Sequence, residues 1–119
     1  MYKIKFIIFL ICLTTVAFSQ KAKTVFESGK EGFSSFRIPS IIRLPNKRIL
    51  AFAEGRVNGA ADFGNVKIVM KSSDDNGKTW SSLKVVVDYG NLQAGNAAPV
   101  VDLLDQANPN GKIYLFYNT

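Results

Sequence analysis

The chain has 119 residues, with 15 Lys and Arg against 9 Asp and Glu, no histidine and a single cysteine. That length holds one domain at most. The basic residues are scattered, so the charged stripe that nucleic-acid binding leaves is absent, whereas an anionic ligand is compatible with the balance.

Met1–Lys5 is short and basic, and Phe6–Phe18 is apolar apart from two threonines. This run is too short for a bilayer core, which needs about 20 residues. Ala17 and Ser19 supply small residues at the −3 and −1 positions of a cleavage site. Residues 1–19 therefore read as a signal peptide and residues 20–119 as the exported part, periplasmic, cell-surface or secreted, with no stable membrane anchor. The bulky Ile11 before Cys12 argues against lipoprotein processing. The exported part has no cysteine, which suits a bacterial protein better than a small, disulfide-stapled animal domain.

Six runs rich in Ile, Val, Phe and Tyr follow: 36–44, 48–56, 66–72, 83–89, 98–104 and 112–118. Each is separated from the next by Gly, Asn, Asp or Pro, the residues that turns require. No stretch keeps a 3.6-residue apolar period, so the class is all-β and built of antiparallel hairpins. The spacing predicts one four-stranded sheet and then two strands of a second.

The stretch SSDDNGKTW (72–80) lies at one of these reversals. A calcium loop would need more oxygen ligands at alternating positions and an acidic end. Glycosidase carboxylates must face each other across a sugar, which neighbours on a turn do not readily do. A structural turn fits better. Gly77 provides a positive φ, Asp75 accepts backbone N–H groups, and Trp80 anchors the turn against the sheet.

Ser73, Asp75, Gly77, Thr79 and Trp80 together match S-x-D-x-G-x-T-W, the Asp-box, which recurs between the third and fourth strands of propeller blades. Upstream stand Phe36-Arg37-Ile38-Pro39 (FRIP), then Glu54-Gly55-Arg56 and Asp62; GNAAPVVD (95–102) follows before GKIYLFYN (111–118). In this order and spacing the chain resembles the exo-sialidases (neuraminidases) from Phe36 to its last residue. The resemblance implies the first blade and part of the second of a six-bladed sialidase-type β-propeller.

It also implies roles. Arg37 corresponds to one of three arginines that clamp the carboxylate of a terminal sialic acid, a task suited to a planar, permanently charged guanidinium. Arg56 corresponds to a further arginine beside the sugar, although Glu54 could pair with it along the strand. Asp62, in the Gly/Ala-rich loop NGAADFG, corresponds to the acid/base aspartate that protonates the departing oxygen and then activates water. Asn96 stands where the family has a polar substrate contact, commonly followed by proline; here Ala97 follows. Asp102 reads as a turn former, and Glu27 and Glu31 as solvated surface.

The implied reaction is retaining hydrolysis of sialylated glycans with a glutamate-activated tyrosine as nucleophile, unlike the usual two-carboxylate arrangement. No metal or cofactor is implied. Tyr114 and Tyr117 read as strand-core residues rather than as that nucleophile. The tyrosine, its glutamate and two clamp arginines are expected beyond Thr119, so the chain reads as an N-terminal fragment. By itself it is expected to be inactive and prone to aggregate through its last strand. A non-catalytic glycan-binding propeller and a trans-sialidase are the alternative functions.

Overall fold

The computed structural model describes residues 22–119; the signal peptide expected at residues 1–19 lies outside them. Six strands follow in chain order: β1 (Ser35–Arg43), β2 (Ile49–Arg56), β3 (Val66–Ser73), β4 (Lys84–Val87), β5 (Gly95–Asp102) and β6 (Lys112–Asn118). β1 to β4 form an antiparallel meander in sequential order, and β5 and β6 pair as a separate hairpin. The expected division into four strands plus two holds. No helix occurs among the described residues.

Alternation along β2 organises the interior. Leu50 and Phe52 point to one face, and Met70, the cross-strand partner of Phe52, and Ile68, two residues further along β3, lie on the same side, as period-2 pleating requires. This face packs on the second sheet through Ala94, Ala97 and the partly buried Leu115. Each fully buried large side chain here contributes about 1.5–3 kcal/mol. On the opposite face, Ala53 and Val69 are covered by Phe26, Phe33 and Phe36. Lys71 ties the N-terminal segment down by donating to the Val25 carbonyl at 2.9 Å and pairing with Glu31 at 2.7 Å.

Strand β5 begins three residues earlier than its apolar run. A bulge at Asn96 and Ala97 lets Gly95 still pair with Asn118, so pairing extends past the residues whose composition announces it. β1 carries a bulge at the matching place, with Ile38 and Pro39 inserted between the pairs Arg37–Glu54 and Ser40–Phe52. Both bulges place a residue at positive φ, Ile38 at 49° and Asn96 at 55°. Asparagine tolerates this region, whereas a β-branched isoleucine there is strained by about 1–3 kcal/mol.

The β3–β4 turn is built as expected. Asp75 accepts Thr79 N–H at 2.8 Å and the Thr79 hydroxyl at 2.5 Å, while Ser73 Oγ donates to Asp75 at 2.9 Å and accepts Gly77 N–H at 2.9 Å. Gly77 has φ 84°, and Trp80 is partly buried. Asp102 likewise accepts Leu104 N–H at 2.8 Å as a turn former.

The expectation that Tyr114 and Tyr117 are strand-core residues is corrected. Both are substantially exposed: Tyr114 stands on the outer face of the second sheet, which carries no covering element among the described residues, and Tyr117, on the face of Leu115, lies near the strand end. Tyr117 instead shares a 2.8 Å hydroxyl hydrogen bond with Tyr89, which raises its pKa above the ordinary phenol value.

Candidate active site

The face of β2 that begins with Leu50 and Phe52 continues with Glu54 and Arg56. Two charged residues thus occupy the last inward positions of a core strand. Both are almost completely buried, Glu54 at 2% and Arg56 at 3% exposure. Such burial is tolerable only with mutual pairing and further hydrogen bonds. Glu54 Oε2 accepts Arg56 Nη2 at 2.6 Å and Nε at 3.2 Å, and Arg56 Nη1 donates to the Ala60 carbonyl at 2.6 Å. Burial works against the Arg56 charge, but the Glu54 and Asp62 carboxylates outweigh it and raise the guanidinium pKa.

The β1 bulge brings Arg37 to the same place. Because two residues of β1 oppose one of β2, Arg37 stands opposite Glu54 while Ser40 and Ile42 stand opposite Phe52 and Leu50. In an unbulged strand Arg37, three residues before Ser40, would fall on the other face from it. The strained Ile38 is therefore the local cost of turning an arginine inward.

The loop between β2 and β3 closes the group. Ser35 Oγ donates to Gly59 O at 2.8 Å and Val57 N–H to Asn65 O at 3.1 Å. Asp62 stands on this loop at 62% exposure, with Oδ1 2.8 Å from Arg37 Nη1 and 2.7 Å from Arg56 Nη1. Arg37 is about half exposed, at 48%. From the second sheet, Asn96 donates its backbone N–H to Glu54 Oε1 at 3.0 Å and its side-chain amide to Asn118 Oδ1 at 3.1 Å.

Arg37, Arg56, Asp62 and Asn96, the four residues singled out from sequence, thus line one open cleft of about 250 Å³ together with Ile38, Glu54 and Gln93. The five Asp-box residues stand apart at the β3–β4 turn. Sequence reasoning treated Glu54 only as a pairing partner and missed its reach to the second sheet. The alternation Leu50, Phe52, Glu54, Arg56 was the available signal for its burial. No group of three or more His, Cys, Asp or Glu arranged to hold a metal occurs among the described residues.

No family model matches the chain. Curated proteins do. The exo-alpha-sialidase of Arthroderma benhamiae is 44% identical over 91 residues, covering 71% of this chain and 21% of that protein. The exo-alpha-sialidase of Aspergillus fumigatus is 43% identical over 91 residues with the same coverage. The sialidase of Paraclostridium sordellii is 34% identical over 110 residues, 91% of this chain and 26% of that protein. The chain spans about a fifth to a quarter of the length of these relatives. With identity of 34–44% over 71–91% of its own length, the chain is a homologue of the sialidases over a small part of their length.

Proposed function

We propose that the whole protein to which these residues belong is an exo-alpha-sialidase that removes terminal sialic acids from glycoconjugates. The observation that carries this reading is the convergence of two guanidiniums and one exposed carboxylate in a single cleft, Arg37 and Arg56 each within 2.8 Å of Asp62. A cleft with this charge pattern can take a sugar that bears a carboxylate. Arg37, half exposed and unconstrained by burial, is the group able to grip that carboxylate through paired N–H donors. Asp62, in this reading, donates a proton to the departing glycosidic oxygen and afterwards accepts one from water. Asn96 offers its amide to the sugar from the opposite wall.

The two sheets are, in this reading, the first blade and part of the second of a six-bladed propeller, and residues 1–19 direct export. Retaining hydrolysis then draws its tyrosine nucleophile, the activating glutamate and two further arginines from outside residues 22–119.

Purified full-length protein assayed against a fluorogenic aryl sialoside and the matching neutral aryl hexosides tests the proposal. Release from the sialoside alone is expected. Hydrolysis of the hexosides, or no turnover and no binding of the sialoside, would contradict it.

A further inference from the structure

Glu54 is the most buried ionisable group in the described chain, at 2% exposure, and acid/base chemistry at Asp62 gives it no part. Its two oxygens are already committed to different elements. Oε2 holds both Nη2 and Nε of Arg56 on its own strand, at 2.6 and 3.2 Å. Oε1 accepts the backbone N–H of Asn96 from the second sheet at 3.0 Å. With its oxygens so engaged it is poorly suited to attack or to exchange protons with a substrate.

The second sheet is shaped to admit this carboxylate. A Cβ at Gly95 would lie 2.7 Å from Glu54 Oε1 and 2.9 Å from Gln93 Nε2. The Glu54 carboxylate cannot yield freely, because it lies in a packed interior and would have to release Asn96 or Arg56 to move. Only glycine permits the approach. Glu54 and Gly95 therefore form one joint, made where the two sheets meet at the cleft wall.

We infer that Glu54 is a positioning residue for sialoside binding: it fixes the Arg56 guanidinium and, through the Asn96 backbone in the space left by Gly95, sets the opposite wall of the cleft. This inference rests on the sialidase reading. Glu54 makes no hydrogen bond to Arg37 or Asp62, so its loss acts on affinity more than on the chemical step.

The test compares full-length wild type with Glu54→Gln, Gly95→Ala and the double variant, measuring kcat and KM on an aryl sialoside. Losing a hydrogen bond to a charged group weakens binding by about tenfold. Each single variant is expected to raise KM by about that factor while kcat falls less than about threefold. The double variant should be little worse than either single one, because both break the same joint. A purely structural role would lower the active fraction, and with it kcat, at unchanged KM. Unchanged KM in both single variants, or additive KM effects in the double, would overturn the inference while leaving the sialidase reading intact. A wild type that neither binds nor turns over the sialoside would overturn both.

Discussion

Asp62 Oδ1 sits 2.8 Å from Arg37 Nη1, so the carboxylate assigned to proton transfer occupies the guanidinium assigned to the substrate's own carboxylate. The two partners are 48% and 62% exposed, and such ion pairs are worth at most about 1 kcal/mol. An incoming anion can displace Asp62 cheaply. Engagement of Arg37 by substrate then leaves Asp62 held by Arg56 alone, at 2.7 Å, and its exposed carboxylate can turn toward the glycosidic oxygen once that second pair also yields.

A first prediction follows from that competition. Asp62→Asn in the full-length protein removes the internal rival without touching Arg37. Free sialic acid, the product, should bind as well as to wild type or up to about fivefold more tightly. Titration calorimetry checks this; a large loss of affinity would mean that Asp62 itself holds the sugar.

Stability should separate the two arginines. Arg56→Met leaves the buried Glu54 carboxylate without its partner, a loss of about 3–5 kcal/mol. Arg37→Met removes an exposed pair and should cost less than about 1 kcal/mol. Urea unfolding of the full-length variants measures both, and equal losses would contradict the burial described for Glu54 and Arg56.

The Asp-box gives an acid dependence. Thr79, through its hydroxyl and then its backbone N–H, holds the Asp75 carboxyl well below the usual carboxylate range. A carboxylate depressed on folding contributes stability above its unfolded pKa of about 3.9, and that contribution fades as pH falls further toward the folded value. Asp75→Asn should therefore lower the melting temperature at pH 7 and flatten its decline below about pH 4. Asp74, held down by its bidentate pair with Arg48, contributes in the same direction and will leave a residual slope.

The 119-residue polypeptide expressed alone should associate. Phe116, Val100 and Tyr114 stand on the uncovered face of the second sheet, and β6 pairs on one side only among the described residues. Apolar sheet faces and open edges of this kind promote aggregation. Size-exclusion chromatography with light scattering is expected to show oligomers and no turnover; a stable, active monomer would contradict this.

Much of this architecture is legible in the sequence. Strand order, the β3–β4 turn and the cleft residues follow from apolar alternation, turn chemistry and the FRIP and Asp-box resemblance. The bulges are not legible, because nothing in Ile38 announces a positive φ; neighbouring strands impose it. Gly95 is equally silent, since its need for hydrogen in place of Cβ depends on where Glu54 reaches from another strand. The exposure of Tyr114 and Tyr117 escapes a reading based on alternation, which tells which residues share a face but not whether anything covers it.

The most direct measurement compares the loss caused by Asp62→Asn on two sialosides in the full-length protein. One carries an aryl leaving group, which departs without help, and the other a sugar alcohol, which needs a proton. General acid catalysis is worth about 10²–10⁴-fold. The account predicts a loss of that order in kcat/KM on the sugar-linked substrate and a much smaller one on the aryl sialoside. Equal losses on both, or none on either, would contradict the assignment of Asp62 as the proton donor.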